Sequence, residues 1–161
     1  MHPKLIKLLE QGHALQQRGQ LREAENNYRK VLRLDANNEF ALNLMGVVCI
    51  RTSRFKEAAG FLEKALKVNS GDPETHNNLG LAYKELQRLD EAQKAFERSL
   101  QLNRQQPATW NNLGNVHAEH GHLDRVSRLF CLEKRRIAPK YRLRQSLERS
   151  KLGFGSARLI V

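Results

Sequence analysis

His76-Asn-Asn-Leu-Gly-Leu-Ala-Tyr83 returns 34 residues later as Trp110-Asn-Asn-Leu-Gly-Asn-Val-His117. The shared Asn-Asn-Leu-Gly sets a frame that extends toward both ends of the chain. Glycine stands at Gly12, Gly46, Gly80 and Gly114, each 34 residues from the last. Nine residues after these come Leu21, Phe55, Leu89 and Leu123. Twelve after come Ala24, Ala58, Ala92 and Val126, and sixteen after come Tyr28, Leu62, Phe96 and Phe130. Four independent columns at one period are the signature of a repeat architecture.

Each unit divides into two amphipathic segments with apolar residues at helical spacing, such as Leu79, Ala82, Tyr83 and Leu86, then Leu89, Ala92, Phe96 and Leu100. The class this predicts is all-α. A glycine inside a helix costs about 1 kcal/mol relative to alanine, so four in register imply a packing reason. The spacing predicts that Gly80 faces the small Ala92 of the second helix, with Tyr83 and Phe96 filling the surroundings and reaching the next unit. Pro73 and Pro107 suit a first helical residue, where no N–H is needed, and Asp72 suits the N-cap before Pro73. Short polar stretches separate paired helices at Arg18-Gly19-Gln20, Thr52-Ser53-Arg54, Leu86-Gln87-Arg88 and His120-Gly121-His122; the two with glycine are the clearest turn signals.

Counted from Leu5, the units run 5–38, 39–72, 73–106 and 107–140, the last losing its pattern after Phe130. On these motifs the chain resembles the tetratricopeptide-repeat family over roughly four-fifths of its length, as a 34-residue repeat implies. It departs from that family in lacking the proline near the end of each unit, where Ala36, Ser70 and Arg104 stand. The resemblance implies a right-handed superhelical solenoid of antiparallel helix pairs over residues 1–138. Three repeats are full and a fourth is degenerate, followed by a basic tail or capping helix at 139–161.

The resemblance also implies that first helices line a concave face. By family position this face receives Phe40, Asn43, Leu44 and Val47 from the second unit. The third adds Asn77, Asn78, Leu81 and Lys84, and the fourth Asn111, Asn112 and Asn115. A carboxamide both donates and accepts, so it can hold a peptide main chain without reading side chains. Such asparagine rows resemble the superhelices of O-linked N-acetylglucosamine transferases, and imply an extended segment gripped along the groove. The chaperone-adaptor branch instead clamps an acidic C-terminal tail with cations. The matching positions here are Leu9, His13, Leu44, Glu74 and Asn78, of which only Asn78 suits that task.

Charge does not redirect this reading. The chain carries +11 in total, but residues 1–122 hold 17 Lys and Arg against 14 Asp and Glu, while residues 123–161 hold 11 against 3. The excess sits in the tail, where capping of the stack, contact with nucleic acid or an anionic surface, and an altered reading frame are the readings. Sparse aromatics there, Tyr141 and Phe154, disfavour base stacking.

Cys49 and Cys131 form no CxxC pair, which fits a reducing compartment rather than a disulfide scaffold. Cys49 reads as a small core residue; Cys131 has Arg128, Lys134 and Arg135 near it in sequence. His117, His120 and His122 have the look of metal ligands, yet His117 shares a column with Leu15, Cys49 and Tyr83 and reads as a packed helix residue. Gly153-Phe-Gly-Ser-Ala lacks the lysine and the helix of a phosphate loop. No secretory signal or stretch of about 20 apolar residues occurs, so the chain is expected to be cytoplasmic.

The sequence therefore predicts a non-catalytic protein-interaction module, monomeric or homodimeric, without metal or cofactor. The alternative is a targeting segment of a larger glycosyltransferase or sulfotransferase.

Overall fold

The computed structural model describes residues 3–119. Within them the helices are α1 (Pro3–Gln17), α2 (Leu21–Leu34), α3 (Glu39–Arg51), α4 (Phe55–Val68), α5 (Pro73–Glu85), α6 (Leu89–Leu102) and α7 (Pro107–Glu119). The described residues contain no strand. The helix expected from Leu123, the boundary at 138, the tail at 139–161, and His120, His122 and Cys131 lie outside the described residues.

Helices α1 and α2, α3 and α4, and α5 and α6 pair, and each pair packs on the next in chain order. Each first helix also touches the first helix of the following pair. Second helices make no comparable contact with one another among the described residues. The first helices α1, α3, α5 and α7 therefore lie side by side along one face.

Local chemistry sets the boundaries. Asn38 caps α3 by accepting the Ala41 N–H at 3.1 Å. Asp72 caps α5 as expected, accepting from the Glu74 and Thr75 N–H groups, with Pro73 at the first helical turn. Between paired helices one turn is used three times. Gly19, Ser53 and Gln87 sit at φ of 79°, 58° and 60°. The next residue's N–H returns to a carbonyl five residues earlier: Gln20 to Leu15 at 2.9 Å, Arg54 to Cys49 at 2.8 Å, and Arg88 to Tyr83 at 2.9 Å. This is the Schellman closure, which ordinarily recruits glycine for its left-handed residue. Only the first of the three turns has one, so glycine content understated how alike the turns are.

The glycine column packs differently from expectation. The nearest side chain over Gly80 is Phe96, not Ala92: a Cβ added there would lie 2.6 Å from the ring. Leu62 stands over Gly46 in the same way, at 2.5 Å from an added Cβ, and Tyr28 covers Gly12. The large residue sixteen positions on covers the bare backbone of each of these glycines, while Ala24, Ala58 and Ala92 are buried in the same clusters. Phe96 does reach the next unit, joining Leu113 and Val116 of α7. Leu34, Val68 and Leu102 end their helices exposed, so that column contributes little to the core.

Cys49 is fully buried, and burial pushes its thiol up from its ordinary pKa. His117 is also buried. Glu25, itself buried, meets Arg54 at 2.7 Å and so ties α2 to the turn before α4.

Candidate functional site

The first-helix face is built from one stripe per helix, because residues three or four apart share a side. On α3 the stripe is Phe40, Leu44 and Val47; on α5 it is Glu74, Asn78 and Leu81; on α7 it is Ala108, Asn112 and Asn115. Phe40, Asn111 and Asn115 are exposed, whereas Asn43, Leu44, Val47, Asn77, Asn78, Leu81, Lys84 and Asn112 are half-buried. Lys84 lies 3.7 Å from Glu119 and 3.9 Å from Glu85, so its charge is met within the face.

The half-buried asparagines bond to one another across helices. Asn78 donates to Asn43 Oδ1 at 3.2 Å, and Asn112 donates to Asn77 Oδ1 at 3.2 Å. Asn43 Nδ2 also donates to Thr75 Oγ1 at 2.7 Å and Asp72 Oδ2 at 3.2 Å. One junction later the Thr109 hydroxyl donates to Asn77 Oδ1 at 3.0 Å. Each junction thus holds a threonine and two asparagines in one repeated network. Asn43 engages both of its amide N–H groups and its oxygen in it. Asn78 and Asn112 keep a carboxamide oxygen unengaged among the described residues, and Asn77 keeps its amide N–H.

The asparagines expected on the first-helix face bond to one another, and that bonding and the part of Thr75 and Thr109 were not read from the sequence. Both threonines are buried, and their 34-residue spacing was the available signal. At the α1–α3 junction the network is absent, because Leu9 stands in the column of Asn43 and Asn77.

Elsewhere in the stack, tyrosines serve the walls. Tyr28 donates to Gln16 Oε1 at 2.9 Å, and Tyr83 to Glu63 Oε1 at 2.8 Å. Burial raises both phenols to about 12. The described residues hold no cluster of three potential metal ligands, and no helix among them is long and apolar enough to cross a membrane.

Residues 9–73 and 73–106 match two family models, each described as tetratricopeptide repeat. None of the curated proteins compared matches the chain. Among solved structures, the first TPR of Spaghetti (RPAP3) bound to HSP90 peptide SRMEEVD superposes with a TM-score of 0.71 at 25% identity, covering 73% of this chain and 94% of that one. MamA from Desulfovibrio magneticus RS-1 gives 0.76 at 23% identity, over 83% of this chain and 78% of that one. A Thermobaculum terrenum O-GlcNAc transferase gives 0.69 at 22% identity, over 71% of this chain but only 22% of that one. With the repeat columns, the sequential stack of helix pairs and both family models in agreement, the chain belongs to the tetratricopeptide-repeat family.

Proposed function

We propose that this protein is a non-catalytic interaction module that holds an extended segment of a partner protein along the first-helix face. The observation that carries the reading is the run of amides on α5 and α7. Asn111 and Asn115 are exposed, and Asn77, Asn78 and Asn112 each retain one unengaged carboxamide group. Groups of this kind, fixed on rigid helices, match the alternating N–H and C=O of an extended main chain. The RPAP3 domain, which is similar in fold and 25% identical, carries a peptide in its solved structure. The acidic-tail clamp is not the favoured mode here, because Leu9, His13, Leu44 and Glu74 supply no fixed cation.

The test is capture of interacting proteins from the native cell by the full chain, with Asn111→Ala/Asn115→Ala as the comparison. Both residues are exposed, so the fold should survive the change. The expected result is at least a fivefold loss of the specific partner. Equal capture by both proteins overturns the groove as the binding face.

A further inference from the structure

Helix α3 differs from the other first helices. Its inner side is core, with Leu42, Met45 and Val48 buried. Its other side carries Phe40 and Val47 at i and i+7, clear of the core clusters, with Leu44 at i+4 between them half-buried against the cluster of Tyr28, Met45 and Val48. A surface helix ordinarily turns polar groups to its second side, as α5 and α7 do with Asn78 and Asn112. Phe40 is 54% exposed, and neither it nor Val47 packs against a core cluster among the described residues. Ile6, in the same column on α1, is 42% exposed.

The charges beside the patch say what suits it. Glu39 precedes Phe40 in the chain, and the exposed Glu74 occupies its column on α5. Neither carboxylate has an ion-pair partner among the described residues. An acidic occupant would meet like charge there, and a purely polar one would leave the stripe wet. From Phe40 to Val47 the stripe rises through seven steps, about 10 Å along the helix. Same-side residues of an extended chain recur about every 7 Å, so it accommodates two side chains.

We infer that the α3 stripe is the anchoring subsite of the groove. Its occupant is a peptide segment with two bulky apolar side chains at i and i+2, next to lysine or arginine. This rests on the peptide-binding reading above and specifies the partner's chemistry.

The probe is a nine-residue fluorescein-labelled synthetic peptide with two leucines at i and i+2 flanked by lysines, titrated with the full chain at physiological salt. Two control peptides replace the leucines by serine or the lysines by glutamate. The expected result is saturable binding of the first, at least tenfold weaker for the serine peptide and at least fivefold weaker for the glutamate peptide. Phe40→Ser/Val47→Ser should weaken the first peptide tenfold, with its helicity checked by circular dichroism. Equal binding of the serine peptide, or no effect of the double change in a folded protein, overturns the inference. If binding then still falls with Asn111→Ala/Asn115→Ala, the groove itself survives and only the anchor is lost. Equal binding of the glutamate peptide overturns the charge assignment. Absence of binding by all three probes overturns the anchor, leaving the groove to the capture experiment. A dimer of the free chain that Phe40→Ser dissolves would assign the patch to a second copy and overturn it also.

Discussion

Asn78 donates its carboxamide N–H to Asn43 Oδ1 at 3.2 Å across the junction between α3 and α5, and Asn112 and Asn77 repeat the bond one junction later. The amides that suit a peptide backbone therefore also hold neighbouring first helices in register. A half-buried amide that lost these bonds would face desolvation without repayment, which is why the network matters more than its exposure suggests.

Asn43→Ala is expected to destabilise the stack by about 1–2 kcal/mol, since it removes the bonds Asn43 donates to Thr75 and Asp72 and the one it accepts from the Asn78 amide. A double-mutant cycle with Asn78→Ala in urea unfolding should show coupling of about 0.5–1 kcal/mol. Asn115→Ala, on an exposed site, should change stability by less than about 0.5 kcal/mol. Strict additivity of Asn43 and Asn78 would remove the network from the account.

Gly80→Ala should cost about 1–3 kcal/mol in the same measurement, because its methyl would meet the Phe96 ring at 2.6 Å. A neutral Gly80→Ala would mean the helices separate freely there.

Gln87→Gly should stabilise the protein by about 0.5–1 kcal/mol. The residue sits at φ of 60°, where any side chain crowds the backbone and glycine does not. Ser53→Gly should behave alike, at φ of 58°. Thermal melts of the two single changes and their combination check this. A drop in melting temperature for both would contradict the strain argument.

Alkaline pH should unfold the stack partly through Tyr28. Burial holds its phenol at about 12 in the folded protein, above the ordinary value of 10.0. A raised folded pKa means the neutral form is favoured by folding. Its stabilising contribution is complete below pH 10 and declines as pH rises toward 12. Urea unfolding at pH 9 and pH 11 should therefore show a smaller alkaline loss in Tyr28→Phe than in the parent chain. An identical loss in both would place the sensitivity elsewhere.

The sequence by itself determined the period, the helix pairing, the all-α class and the first-helix position of the asparagines. Those features depend on local spacing and on columns such as Gly12, Gly46 and Gly80, which are visible without coordinates. The tertiary structure decided which side chain lies over each glycine, because Ala92 and Phe96 are both on the buried side of α6 and only the approach of α5 selects between them. It also decided that Asn78 bonds to Asn43 and Asn112 to Asn77, since the distance between residues 35 apart depends on how closely successive pairs stack. The apolar outer stripe of α3 has the same origin. The resemblance placed Phe40, Leu44 and Val47 on the first-helix face, but only packing decided that Phe40 and Val47 stay clear of the core clusters while Leu44 joins one.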